Sequence, residues 1–447
     1  MAERRRILVF AYFFPPLGGA GVQRVVKFAK YLPAEGWDPT IVTARSADYW
    51  MADESLGAEL GPRVRIVRTP APTGLTLLRR LAPRQAGQAR TLRASVGAIR
   101  RLRGLSSWLL LPDSYVGWVP FARRAGERLL AREKFDWILT TSSPDSTHLI
   151  GLALARRYRL PWVADFRDPW TRRMSFHPPT RWHRRRHLVL EGEVLKHATL
   201  ATFTSEETRD DYARRYPQIP ARKLVVVTNG YDEEDFARCS ALAPPAAPLT
   251  ILHAGQLNPE RPARPFLRGL RLFLERHPSA RDRVRVRLVG PAYRQDEDDA
   301  RALGLTHVVS FESARPHAEI VRALCSSHVL LLMEQESERG SLILPGKIFE
   351  YLRSGRPILG LLPRGAAWDL IQRLGAGRCC TTNDAEACAA ALGDFFSSFE
   401  RGAAFETGVT PAALQSFERH GLTRKLAGLL ASGGRTGGKA AGPEAHS

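Results

Sequence analysis

The sequence predicts two α/β domains with parallel sheets, set on either side of a cleft. Three observations carry this. Short apolar runs alternate with amphipathic helical stretches from Arg5 to Thr381, the pattern of strands joined by crossover helices. Glycine-rich or polar turns follow several of the runs, where open parallel sheets place their ligands. A proline–alanine stretch, Cys239–Pro248, splits the alternation into two series. The expected division is a first domain over 1–238 with a basic insertion at 75–130, a linker at 239–248, a second domain over 249–430 and a disordered tail at 431–447. A length of 447 residues suits that division.

The first strand is expected within Arg5–Phe13, and the turn PPLGGAG follows it. Val22, Val25, Val26, Ala29 and Leu32 then repeat at helical spacing. The motif Gly19-Ala-Gly21-Val-Gln-Arg24 places arginine where a dinucleotide fingerprint needs its third glycine, which argues against NAD. Further strands are expected at 39–43, 64–67, 137–141, 161–166, 199–204 and 223–228. The 161–166 strand ends in ADFRDPW, so Arg167 and Asp168 lie at a carboxyl edge; an ion pair between them is the competing reading. In the second series, strands are expected near 249–253, 285–289, 308–311, 329–333, 357–362 and 378–381.

The formal charge is +21, and between Leu60 and Pro112 there are eleven arginines and no acidic residue. Leu92, Val96, Ile99 and Leu102 form an apolar stripe within that run. Such a segment either lies on an anionic membrane surface or packs on its own domain with a solvated basic face. The cluster Arg181–His187 reads as a solvated helix face, since its histidines lack metal-ligand spacing with a carboxylate. Asp296–Asp298 likewise reads as a solvated face and not as a metal site. Five cysteines without a CxxC pair argue for a reducing compartment. No run of 18 apolar residues spans a membrane.

The stretch Pro345–Pro357, PGKIFEYLRSGRP, concentrates the chemistry. Pro345 is expected at the first position of a short helix, and Gly355 just beyond its end. Its N-terminus with Lys347 suits a phosphate, and Glu350 on the same face suits a sugar hydroxyl pair; an exposed Lys347–Glu350 ion pair is the alternative. Gly340–Lys347 is not a P-loop, because five residues separate the glycines and Ile348 replaces the hydroxyl.

Four segments together, YFFPPLGGAGVQR (12–24), ADFRDPW (164–170), KLVVVTNGYDEEDF (223–236) and PGKIFEYLRSGRP (345–357), resemble the family 4 glycosyltransferases of the GT-B fold. The resemblance implies two Rossmann-like domains and transfer of a sugar from a nucleotide-sugar donor to a glycan or lipid-linked acceptor, with retention, in cell-envelope or exopolysaccharide synthesis. It implies that Glu350 binds the donor ribose, that Gly18 and Gly19 approach donor phosphate and acceptor, and that Lys347 serves the diphosphate. In HAGQLNPER, Gln256 takes the usual arginine slot and Arg261 lies near the usual lysine slot. Arg167 falls where many relatives keep an active-site histidine, which implies contact with acceptor or phosphate, and Arg167 and Asp168 are assigned to catalysis. The family's paired glutamates stand eight positions apart, and Leu342 occupies the first; Glu338 or Glu336 is the expected substitute, with Glu338 assigned to catalysis. Neither cofactor nor metal is expected, and the expected location is cytoplasmic, peripheral at the inner face of the membrane. The competing classes are a nucleotide-sugar epimerase and a non-enzymatic binder of anionic polymers; the basic runs lack the interleaved aromatic residues of a nucleic-acid binder.

Overall fold

The computed structural model describes residues 4–17, 20–45, 55–72, 108–237, 239, 242–259 and 261–433. Gly18 and Gly19, much of the expected basic insertion and most of the expected tail lie outside them. Two sheets organise the chain, both parallel throughout. The first has seven strands in the order β3-β2-β1-β4-β5-β6-β7 and the second six, in the order β10-β9-β8-β11-β12-β13. In each, the order reverses beside the first strand, so a crevice opens outside the carboxyl ends there.

The first sheet comprises β1 (Arg5–Phe10), β2 (Trp37–Ala44), β3 (Arg65–Thr69), β4 (Trp137–Ser142), β5 (Trp162–Phe166), β6 (Leu200–Phe203) and β7 (Leu224–Val226). Helices α1 (Ala20–Tyr31), α2 (Val119–Arg132), α3 (Thr147–Tyr158), α4 (Arg181–His197) and α5 (Glu206–Arg215) cover it. Ile7, Leu8, Val9 and Phe10 of β1 are all buried, because both faces of a parallel sheet carry helices. The second sheet comprises β8 (Leu249–Ala254), β9 (Val284–Val289), β10 (Val309–Glu312), β11 (Val329–Met333), β12 (Ile358–Leu361) and β13 (Gly377–Cys380). Around it lie α6 (Arg264–Arg276), α7 (Arg294–Ala302), α8 (His317–Cys325), α9 (Lys347–Arg353), α10 (Ala366–Arg373) and α11 (Ala385–Glu400). Val329 through Met333 are buried without a break, each stabilising the fold by roughly 1.5–3 kcal/mol.

The last helix, α12 (Arg419–Ala431), returns to the first sheet. Its Leu426, Ala427 and Leu430 pack with Val22, Val25, Val26 and Ala29, so the end of the expected second domain lies on the core of the first. Two backbone bonds hold the return: Tyr231 N–H donates to Phe417 O at 3.1 Å, and Arg419 N–H donates to Tyr231 O at 2.9 Å.

Three local expectations are corrected. Helix α9 starts at Lys347, with Gly346 at its N-cap, two residues later than the Pro345 start. Gly355 does follow the helix with φ +72°, the left-handed backbone that glycine supplies at no steric cost. Asp296 is buried and structural, not a solvated residue: it accepts from Ala263 N–H at 2.8 Å and Tyr293 N–H at 3.1 Å, tying α7 to the start of α6. His183 and His187 point inward from α4 instead of joining its solvated face.

Candidate functional site

At the carboxyl end of the second sheet, the loop after β8, the loop after β11 and the loop after β13 enclose a pocket of about 200 Å³ lined by Arg261, Glu334, Gln335, Glu336, Thr382 and Asn383, among others. Arg261 Nε lies 2.9 Å from Glu334 Oε2, a pair anchored by a carboxylate at the end of β11. Glu336 Oε2 accepts from Thr382 N–H at 3.2 Å, and Thr382 Oγ1 donates to Glu334 O at 2.8 Å, which fixes the far wall.

Lys347 does not line this pocket but lies close to Gly255. A Cβ built on Gly255 (φ +144°) would lie 2.2 Å from Lys347 Nζ, so glycine is required for the lysine to reach the loop after β8. Burial, and then the neighbouring Arg261 charge, push the Lys347 ammonium down to about 8. Among the described residues Lys347 makes no hydrogen bond or ion pair. His253, at the end of β8, is fully buried and donates from Nδ1 to Leu331 O at 2.9 Å. Its Nε2 meets no hydrogen-bond partner, and burial together with Lys347 keeps the ring neutral. Lys347 Nζ and the His253 imidazole nitrogen, unpartnered among the described residues, thus meet at Gly255 with the Arg261 charge nearby, and an anion with hydrogen-bonding capacity would complete them.

Glu350 lies one turn along α9, with its side chain 14% exposed. It is not paired with Lys347. His317 Nε2, at the start of α8, lies 2.9 Å from Glu350 Oε1, while His317 Nδ1 lies 4.0 Å from Asp235 Oδ2. Against the cost of burial, the bond to Glu350 raises His317 to about 9. One carboxylate oxygen is thereby held and the group is oriented, leaving acceptor capacity on the carboxylate.

The first-domain edge is built differently. Asp165 at the end of β5 receives a two-pronged bond from buried Arg24, Nη2 to Oδ1 at 2.7 Å and Nε to Oδ2 at 3.0 Å, plus Thr141 and Thr202 hydroxyls at 2.8 and 2.7 Å. Although burial opposes it, the Arg24 charge holds Asp165 below the usual carboxylate range. The arginine that breaks the dinucleotide motif is therefore a structural group, and it also donates to Thr228 O at 2.7 Å and Val227 O at 2.9 Å. Two residues on, Arg167 Nη1 donates to Gly21 O at 2.8 Å and Nη2 to Asp168 Oδ2 at 3.1 Å, with Ser143 Oγ at 3.2 Å from the same oxygen. Burial works against ionisation of Asp168, yet Arg167 and then Arg173 hold it below the ordinary range.

The structure thus brings Arg261, Lys347 and Glu350 to one sheet end, and Arg167 and Asp168 together at the other. A Cβ built on Gly346 would lie 3.8 Å from Asn229 Nδ2 of the first domain, so the start of α9 lies at the domain boundary. Glu338 is not in the pocket: its side chain is 77% exposed and pairs with Arg172 across the boundary. Glu334 and Glu336 line the pocket instead. Leu342, at the position of the missing glutamate, is buried, and its carbonyl accepts from Ser205 and Thr208 hydroxyls, each at 3.0 Å. Sequence reasoning missed His317, His253 and the Arg24–Asp165 pair; the first two are lone histidines with no spacing signal, and the third joins residues 141 positions apart.

Two parallel sheets of this order, with a terminal helix crossing back, make the GT-B fold. Residues 18–230 match the glycosyl transferase 4-like domain. The first-sheet part of the chain is thus similar to that family's domain. Sucrose-phosphate synthase from Thermosynechococcus elongatus superposes with a TM-score of 0.61 at 15% identity, covering 96% of this chain and 99% of that one. The Anabaena protein HepE, solved with UDP and glucose, gives 0.61 at 14% identity over 96% and 100%. The lipopolysaccharide outer core galactosyltransferase WaaB, in its apo form, gives 0.58 at 13% identity over 96% and 99%. No curated protein matches the sequence. Among the described residues no helix is long and apolar enough to cross a membrane.

Proposed function

We propose that the protein transfers a sugar, with retention, from a nucleoside-diphosphate sugar to a glycan or lipid-linked acceptor in cell-envelope or exopolysaccharide synthesis. The observation that carries the donor half is the Lys347 ammonium near Arg261, without a hydrogen bond or ion pair among the described residues, at the carboxyl end of β8 and β11. Departure of the nucleotide places negative charge on its diphosphate, and these two cations stabilise that charge without a metal ion. Glu350, oriented by His317, accepts the ribose hydroxyls. Arg167 and Asp168 serve the acceptor side, facing the loop that holds Gly21. HepE is described with UDP and glucose, which makes UDP-glucose the first donor to try. The acid-free run Leu60–Pro112 sets the first domain against an anionic membrane at its inner face.

The test is release of UDP from UDP-glucose, followed with and without EDTA. The proposal expects release that persists under chelation and falls in Lys347→Ala. Strict dependence on a divalent ion, or equal turnover in the variant, contradicts it.

A further inference from the structure

Helix α4 and the segment at Trp108 expose a surface that the fold leaves unused. Among the described residues seven large apolar side chains are exposed, and five of them, Trp108, Leu109, Trp182, Leu188 and Val189, belong to these two segments. Trp182 is 59% exposed, Trp108 56% and Leu109 79%, so more than half of each tryptophan and most of the leucine meet solvent.

The two segments are fastened together through one inward histidine. His183 Nε2 lies 3.1 Å from Trp108 O, and its ring meets Trp108 and Trp182 edge-on at 5.7 and 4.9 Å. Thr180 caps the helix start by accepting from His183 N–H at 3.3 Å. The tryptophans are therefore displayed on a built platform. Trp182, Arg185, Arg186 and Val189 follow at i, i+3, i+4 and i+7, one continuous face of α4. Arg181 and Arg184 are exposed beside them, and no acidic residue occurs between Asp168 and Glu191.

We infer that this face, Trp108–Leu109 with the outer side of α4, docks on an anionic lipid bilayer. Tryptophan rings favour the interface between headgroups and acyl chains, aliphatic residues insert below it, and each arginine near an anionic surface strengthens binding about fivefold. The chain's own residues 73–107 make a poor cover, since they carry eight arginines and no acidic residue and repel a basic face. Nucleic acid would use the arginines and tryptophans but gives Leu109, Leu188 and Val189 no role. The inference deepens the membrane part of the proposed function and rests on that part alone; it requires no transferase activity.

The test is co-sedimentation of the full chain with vesicles of phosphatidylcholine alone or with phosphatidylglycerol. Two variants are compared: Trp182→Ala/Arg185→Glu/Arg186→Glu on α4, and Arg93→Glu/Arg100→Glu in the basic run. The expected result is binding to the anionic vesicles only, a loss of at least about 25-fold in the α4 variant, and an unchanged UDP-induced shift in melting temperature. Wild-type binding with an undiminished α4 variant overturns the α4 surface while leaving membrane attachment through the basic run standing. Absence of wild-type binding overturns both. Equal binding to neutral vesicles, or binding to single-stranded DNA in preference to vesicles, also overturns the inference.

Discussion

The two sheet ends each gather charge, and they treat it in opposite ways. At the end of β5, Asp165 and Arg24 satisfy each other, with two hydroxyls and two carbonyls completing the shell. At the end of β8, Lys347 has no partner among the described residues and His253 Nε2 has none, while Arg261 shares its charge with Glu334. A closed cluster spends its interactions on holding the fold. An open one carries a cost in the free protein that a bound anion relieves. Burial alone therefore does not mark a functional charge; incomplete pairing in a crevice does.

The largest effect is expected at the closed cluster. Asp165→Ala leaves Arg24 buried without its counter-charge and is expected to cost about 3–5 kcal/mol. Denaturation with urea, monitored by first-domain tryptophan fluorescence, measures it; a loss below about 1 kcal/mol would show that the cluster is not structural. Lys347→Ala is expected to behave in the reverse manner, preserving the melting temperature and weakening UDP binding by about 1.5–3 kcal/mol. Arg261→Ala should fall in the same range but also expose Glu334, so some loss of stability accompanies it.

Acidity sharpens the comparison further. Lys347 has a folded value of about 8, so its charge in the free protein fades as pH rises through 8. UDP affinity should decline across that interval, and Lys347→Arg should flatten the decline. His317 runs with the opposite sign to Lys347 in stability: its folded value, about 9, exceeds the ordinary 6.5. Its bond to Glu350 therefore contributes fully below about pH 6.5 and is lost as pH rises through 9, an effect on the order of 1–3 kcal/mol. His317→Gln should remove this dependence from thermal melts recorded between those limits.

Much of the fold was legible because both sheets are buried on two faces. Runs such as Val329–Met333 read as strands wherever helices flank them, and glycine marked turns such as Gly355. The site was legible where chemistry sits within one helix turn, as in Lys347 and Glu350. It was not legible where the partner arrives from elsewhere: His317 joins Glu350 across 33 positions. Glu338 was favoured in sequence because it lies near the missing family glutamate, but its loop carries it out to Arg172. Glu334 ends the β11 apolar run and is buried by that position, a placement that spacing from Glu350 does not reveal.

Assignment of the open cluster as a nucleotide site with Glu350 at the ribose is tested by isothermal titration of the wild type and Glu350→Gln with UDP. Glutamine keeps an oxygen for His317 but gives up the second acceptor and the charge that holds the imidazolium, so affinity is expected to fall by about 1 kcal/mol, roughly fivefold, with a lower melting temperature below pH 9. Equal UDP affinity in the two proteins would remove Glu350 from the site and contradict the account.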